Sequence, residues 1–358
     1  MKIEKMELLR GIKSVMGVAK KNDVDITDCV NLSVEDNEVV LKATDFTTSI
    51  ESKLMLDGFF NETMNCSVNC KLFHNVINKM PQSILELEVD SDVLKIVCGK
   101  INFELAICNS EFPTSEKLDS EEIVVNGMDF ANCLTSVMVA TADVSRPILN
   151  GVFINAENKS IEFVATDGYR LATNKLDYSV EGKFSGILPN KSVSEIVRLT
   201  KDICDEDIVI ISKEDRIRLE FNNVIIESIY QEGNYINYKH LVNNNPICIE
   251  IDSNSLISSV QRVSLLAKEG QKKYIVLSNS DDELLSISAI AEIGECIDNV
   301  VCNKNTDETF KIALNPSFLL DGLKSLMGNI KLFLKDSKSP VFFSSGDNFK
   351  YLVLPVSM

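Results

Sequence analysis

The 358-residue sequence predicts an α+β fold made of three repeated domains, each with two helices packed on antiparallel sheets. Three observations predict it. The chain resembles itself twice, at successive offsets of 122 and 126 residues. Each copy holds two stretches whose apolar residues fall at helical spacing. Between and after them lie short segments with apolar residues at every second position, the pattern of a half-buried strand.

The elements follow in order. Ile3, Leu8, Ile12 and Val15 return as Val125, Phe130, Leu134 and Val137, then as Ile251, Leu256, Val260 and Val263. The last three of each set share a helix face, which predicts helices within 6–21, 128–142 and 253–269. The strand-like run Val39–Asp45 returns as Ile161–Asp167 and, more weakly, as Leu284–Ala289. A second amphipathic helix is expected over 69–80, 189–201 and 315–328, with Pro and Asn near the last two starts suiting helix entry. Alternating strands then follow at Ile84–Val89, Ile208–Ile211 and Ile330–Leu334. The domains are expected at 1–118, 119–244 and 245–358. Neither boundary, near Lys117–Ser120 and at Asn243–Pro246, is a long linker, so neighbouring domains should sit close.

The formal net charge is −17, which at first sight argues against nucleic acid. Its distribution argues otherwise. The six helical windows hold twelve basic and five acidic residues, so they carry +7 and the rest of the chain −24. Glu favours helices as much as Lys does, so helix propensity alone does not produce this bias. The window 128–142 has no Lys or Arg, and the bias is uneven.

Much chemistry is missing. There is no G-x4-G-K-[ST] phosphate loop and no G-x-S-x-G elbow. The ten cysteines are scattered, the nearest pair being Cys66 and Cys70 at an expected helix start. With only His74 and His240 beside them, no metal site and no cofactor are expected; the thiols read as reduced and mostly buried. His74 is expected to be solvated or to face DNA, and His240 to lie on a surface loop. The acidic run Asp202–Asp207 reads as a solvated charge cluster. The start has no signal-peptide core, and no run is long and apolar enough to span a membrane, so a cytoplasmic protein without membrane contact is expected.

Several stretches resemble one family. Ser145-Arg146-Pro147-Ile148-Leu149-Asn150-Gly151, Ala165-Thr166-Asp167-Gly168-Tyr169-Arg170-Leu171-Ala172 and Leu354-Pro355-Val356 look like the bacterial DNA polymerase III beta subunit, the DNA sliding clamp. Glu111-Phe112-Pro113 fits the end of its first domain. The resemblance runs through the whole chain in order. It implies a non-catalytic processivity factor for DNA replication: a head-to-tail homodimer of clamp domains that closes into a ring around duplex DNA, without sequence preference. An ATP-dependent clamp loader would place it on DNA, and it would tether the replicative polymerase and other clamp-motif proteins.

The resemblance also implies sites. A peptide-binding pocket would involve Leu149, Thr166, Gly168, Tyr169, Arg170 and Leu171 with Asn315, Phe318, Leu352, Leu354, Pro355 and Val356; Arg170 would help to orient the peptide. Facing DNA would be Arg10, Lys20, Lys21, Lys71, Lys79, Arg146, Lys191, Arg198 and Lys201. In the dimer, Phe103 would meet the partner's Leu265 and Leu266. The sequence departs from the family at Ile26-Thr27-Asp28-Cys29, at Tyr235-Ile236-Asn237, at Asn243 where a pocket proline is usual, and at the ending Ser357-Met358. Two other readings stay open on the residues: an enzyme with Asp167 and Arg170 acting on a phosphorylated substrate, and an acidic scaffold that binds only proteins.

Overall fold

The computed structural model describes residues 1–20, 25–35, 37–56, 63–81, 84–108, 111–113, 118, 120–179, 182–203, 207–241, 245–269, 273–281, 283–305 and 309–358. The first repeat runs β1 (Lys2–Glu4), α1 (Lys5–Val15), β2 (Cys29–Glu35), β3 (Glu38–Thr44), β4 (Thr48–Met55), β5 (Met64–Asn69), α2 (Cys70–Lys79), β6 (Ile84–Asp90), β7 (Val93–Cys98) and β8 (Ile101–Ala106). The second runs β9 (Glu122–Asn126), α3 (Gly127–Met138), β10 (Gly151–Glu157), β11 (Ser160–Thr166), β12 (Arg170–Asp177), β13 (Phe184–Pro189), α4 (Asn190–Ile203), β14 (Asp207–Ser212), β15 (Arg216–Phe221) and β16 (Val224–Ile229). The third runs β17 (Ile247–Asp252), α5 (Ser253–Glu269), β18 (Ile275–Asp281), β19 (Leu284–Ala291), β20 (Gly294–Lys304), β21 (Lys311–Leu314), α6 (Pro316–Leu323), β22 (Asn329–Leu334), β23 (Val341–Ser345) and β24 (Phe349–Val353). Each repeat is therefore strand, helix, four strands, helix, three strands.

The local signals explain the helices. Leu8, Leu9, Ile12 and Val15 form the buried face of α1. Asn69 caps α2 by accepting the Leu72 amide at 2.9 Å, and Asn315 caps α6 by accepting the Ser317 amide at 2.9 Å. Lys5 closes the other end of α2, donating to the Met80 carbonyl at 2.6 Å. Three expectations need correction. The helix expected over 6–21 ends at Val15, so Lys20 lies beyond it. The helix expected over 315–328 is only Pro316–Leu323; its last turn passes through Lys324 and the chain reverses at Gly328, whose φ is +68°. Cys66 is not at a helix start but inside β5, because alternation from Met64 to Val68 favours a strand; Cys70 alone begins α2. Burial pushes the Cys66 thiol up to about 11 and the Cys70 thiol up to about 12.

The chain divides into two compact units. The first comprises Met1–Ala131, Ser179–Phe184 and Ser194–Tyr230. It holds a four-stranded sheet ordered β1-β6-β7-β8 and an eight-stranded sheet ordered β5-β2-β3-β4-β16-β15-β14-β9. In the larger sheet β4 and β16 pair antiparallel, with Ile50 opposite Ile226, so the sheet crosses from the first repeat into the second. Helix α1 lies on β3 and β4.

The second unit comprises Asn132–Tyr178, Ser185–Val193 and Gln231–Met358. Its twelve strands are ordered β13-β10-β11-β12-β24-β23-β22-β17-β20-β19-β18-β21. Here β12 and β24 make the crossing, with Ala172 opposite Tyr351. Helix α5 packs on β19 and β20, and α6 reaches β24. The buried Tyr351 ring packs against Gly322, where an added Cβ would sit 2.1 Å from ring carbons. Gly322→Ala should therefore force Tyr351 aside and destabilise the protein by about 1–3 kcal/mol, measurable as a lower urea midpoint.

Candidate functional site

The turn between β11 and β12 is built by its own side chains. The Thr166 hydroxyl donates to the Arg170 carbonyl at 2.6 Å and accepts the Gly168 amide at 3.1 Å. Asp167 Oδ1 accepts the Tyr169 and Arg170 amides at 2.8 and 3.0 Å. Gly168 has φ +88°, a conformation that glycine adopts without strain. The fold then brings the chain's last residues here: the Leu354 amide donates to the Tyr169 carbonyl at 2.9 Å, and the Val356 amide to the Ala313 carbonyl at 2.8 Å.

Side chains complete the surface. Tyr169 is exposed and stacks on Phe318, with ring centroids 6.2 Å apart. The Arg170 guanidinium lies 4.6 Å from the Phe318 centroid. It also donates to Asp167 Oδ2 through Nε at 3.0 Å and to Asp321 Oδ2 at 2.7 Å. Beneath, Leu171 and Leu352 sit opposite each other and join Val164, Tyr238 and Phe342 in a buried apolar cluster. Leu149, half-buried, ends a short 3-10 turn at Pro147–Leu149. The structure thus gathers Thr166, Gly168, Tyr169, Arg170, Asn315, Phe318, Leu354 and Val356 around one turn and one helix start. Thr166, Leu171 and Leu352 are buried supports beneath that surface.

Several of these residues are engaged within the chain. Arg170 is not a free hand for a ligand. Burial opposes its charge, but Tyr351, Asp321 and Asp167 outweigh that and raise its pKa. The same bonds occupy Asp167, so this turn offers no unengaged acid or base for catalysis. Arg146 donates to the Asp167 carbonyl at 2.7 Å and lies 5.9 Å over the Tyr169 ring. It thus rims this turn beside Tyr169. The stretch Tyr235–His240 is only partly a surface loop: His240 is exposed, but Tyr238 is buried and Tyr235 stacks on Phe153 at 5.1 Å. Asn243 lies outside the described residues.

Among the cations expected to face DNA, Arg10, Lys20, Lys71, Lys79, Lys191 and Lys201 are exposed. Lys21 lies outside the described residues. Arg10 pairs with Glu7 at 2.7 Å. Arg198 is held from several sides, by Glu195 at 2.9 Å, by the Ser14 carbonyl at 3.0 Å and by Asp202 at 3.7 Å. His74 is half-buried, with Nε2 buried and without a hydrogen-bond partner among the described residues, contrary to a solvated role. Among the described residues, no group of three or more His, Cys, Asp or Glu is placed to hold a metal ion, and no helix is long and apolar enough to cross a membrane.

Comparison with known proteins now decides the family. The N-terminal, central and C-terminal domains described for the DNA polymerase III beta subunit match residues 1–116, 124–237 and 241–357 in that order. The chain belongs to the DNA polymerase III beta subunit family. The beta sliding clamp of Bacillus subtilis strain 168 is 25% identical over 373 residues, covering 99% of this chain and 98% of that protein. That of Staphylococcus aureus is 25% identical over 365 residues, covering 96% and 95%. Crystal structures of the Bacillus subtilis sliding clamp and the Pseudomonas aeruginosa beta subunit share the fold, each with a TM-score of 0.93 at 24% identity. Both align with all of this chain, over 98% and 100% of their own.

In this chain, the residues expected at a dimer contact are at least partly open to solvent. Phe103 on the edge strand β8 and Leu265 on α5 are exposed, and Leu266 is half-buried. The residue that sequence reasoning missed is Asp321. It lies 151 positions from Arg170, and nothing local marks the pair. Asp321→Ala should leave the largely buried guanidinium short of a partner and destabilise the protein by about 1–3 kcal/mol. Urea unfolding would measure it, with Lys324→Ala, which removes only an exposed pairing, nearly silent.

Proposed function

We propose that the protein is a DNA sliding clamp: a non-catalytic processivity factor that encircles duplex DNA and holds the replicative polymerase to it. Its clamp domains are residues 1–118, 119–244 and 245–358, and it works in the cytoplasm. The observation that carries this reading is a pair of unfinished sheet edges. Strand β8 ends its sheet, and Gly294–Val301 of β20 pair with β19 on one side only. In position within the repeat, β8 matches β16 and β24, while β20 matches β4 and β12. Since β4 takes β16 and β12 takes β24, β20 is left to take β8 of a second copy, head to tail.

Two copies close the assembly, because each supplies one β8 and one β20. Twelve helices at roughly 10 Å each would line a bore about 120 Å around, leaving a hole about 30 Å across. That admits a duplex with its hydration and grips no base. Exposed lysines and arginines on the helices attract phosphates without reading sequence, and topology supplies retention. A clamp loader then has to open the ring. On closed circular DNA the loaded protein should persist, and linearising the circle should release it. Equal release from circles and linear DNA, followed by gel filtration, would refute encirclement.

The turn at Thr166–Arg170 with Leu149, Leu171, Asn315, Phe318, Leu352 and the segment Leu354–Val356 is the docking pocket for polymerases, the loader and other clamp-motif proteins. Exposed Tyr169 and Leu354 above a buried apolar cluster suit aliphatic or aromatic anchors of a short extended peptide. Leu149→Ala with Leu354→Ala should weaken a polymerase tail peptide by about 2 kcal/mol or more, as measured by calorimetry, with the fold unchanged by circular dichroism.

A further inference from the structure

The two sheet crossings inside the chain share one register, and that register can be carried to the seam between copies. In the first, Ile226 lies opposite Ile50; in the second, Tyr351 lies opposite Ala172. Ladder pairings link each of these to its place in the repeat. The row Ile210–Leu219–Ile226 matches Leu332–Phe343–Tyr351 and Leu87–Ile96–Phe103. On the other side, Ala43 pairs Ile50, Ala165 pairs Ala172 and Ala289 pairs Cys296. Phe103 and Cys296 are thus the third counterparts, and the third crossing sets Phe103 of one copy opposite Cys296 of the next.

One step along the antiparallel ladder, the row is Glu227 opposite Ser49 in the first crossing and Leu352 opposite Leu171 in the second. In the first, Arg216 neutralises Glu227 at 3.0 Å; in the second, the pair belongs to the apolar cluster. At the seam the same row is Glu104 opposite Glu295. We propose that the seam between copies carries this directly opposed glutamate pair on its outward face, which makes it weaker than either crossing within the chain. The inference rests on the clamp reading above.

The surrounding charges offset the pair only in part. Lys95, across the ladder from Glu104, already pairs with Asp90, and Glu88 lies opposite Lys95 on its other side. From Leu284 to Asn303 the β19–β20 hairpin has Glu292, Glu295 and Asp298 and no Lys or Arg. Asp298 is bound to Arg262 at 2.6 Å. Both Glu104 and Glu295 are exposed in the single chain, so pairing would bring them together without another residue between them. Like charges directly opposite on adjacent strands destabilise the ladder, and the effect counts twice in a closed dimer.

Sedimentation velocity over a dilution series tests this on the full chain. Glu104→Gln and Glu295→Gln should each tighten the dimer, by about 2- to 30-fold with both seams relieved. Glu214→Gln, a charge change on the exposed turn between β14 and β15, should not. Glu295→Lys should tighten the dimer further, and adding Glu104→Lys to it should cancel the gain by restoring like charges. Additive effects of the two Lys substitutions, or no gain from either Gln, would overturn the proposal. The control Leu265→Ala with Leu266→Ala separates the two levels. If it weakens the dimer while the glutamates are uncoupled, only the register falls; if it changes nothing, the seam itself is misplaced.

Discussion

The constraint on which this structure depends is that the edge of a β-sheet must be paired. Every strand backbone has donors and acceptors on both sides, and an unpaired row is a site for another strand. A single repeat, with strand, helix, four strands, helix and three strands, leaves an edge at the third strand of its quartet and another at the last strand of its triplet, besides an outer edge on each. The chain answers twice by joining the quartet of one repeat to the triplet of the next, at β4–β16 and at β12–β24. It answers in the same register both times. In the first unit α1 lies on β3 and β4, and in the second α5 lies on β19 and β20.

Equal backbones have been given unequal surfaces. Thr44 and Asp45 build the turn before β4 as Thr166 and Asp167 build the turn before β12. Thr44 Oγ1 accepts the Phe46 amide at 3.0 Å, and Asp45 Oδ1 accepts the Thr47 and Thr48 amides at 3.1 and 2.7 Å. Even the left-handed residue recurs, as Phe46 at φ +69° where the second turn has Gly168. Beside the first turn, Lys42 pairs with Glu51 at 2.9 Å and Arg216 with Glu227. At the second, the corresponding walls are Val164, Leu171, Phe342 and Leu352. An apolar peptide anchor finds a desolvated wall only at the second turn, since burying it against the first would strip water from ion pairs. The backbone offers two similar places, and side-chain substitution selects one.

The repeat was legible because apolar spacing reports which face of an element is buried. Leu8, Ile12 and Val15 and their counterparts mark α1, α3 and α5, and Val39–Asp45 and Ile161–Asp167 mark β3 and β11 within a residue. The short leading strands β1, β9 and β17 were hidden, since three to six residues give too little alternation to separate from the helix they enter. Helix ends were less legible than helix faces: apolar residues continue after Val15, but past Met16, still helical and bonded to the Ile12 carbonyl, comes Gly17, and the Val18 amide turns back to the Val15 carbonyl at 3.4 Å. For the candidate site, the motif Thr166–Leu171 identified the turn, and the resemblance supplied its neighbours. What it could not supply is who pairs with whom. The Arg170–Asp321 bond depends on the β12–β24 crossing between repeats, and the Arg146–Tyr169 stack on the loop before β10 reaching the β11–β12 turn.

The charge distribution gains a physical sense from those bonds. The six helical windows hold twelve of the 36 basic residues, and among these Arg10 and Arg198 are already engaged by acids one helical turn away. Arg10 pairs with Glu7, and Arg198 pairs with Glu195 and Asp202. The exposed Arg10–Glu7 pair contributes about 0–1 kcal/mol, so a passing phosphate can compete for Arg10 at little cost, whereas Arg198, paired with the buried Glu195 and the Ser14 carbonyl, is held more firmly. The competition also lowers the net attraction. For a protein held to DNA by closure, strong attraction would be a brake, and every phosphate contact must break within one step along the duplex. Partly neutralised helices in a chain of net charge −17 satisfy that condition: enough positive charge remains on the helices to favour the duplex there, and the acidic remainder of the surface repels it elsewhere.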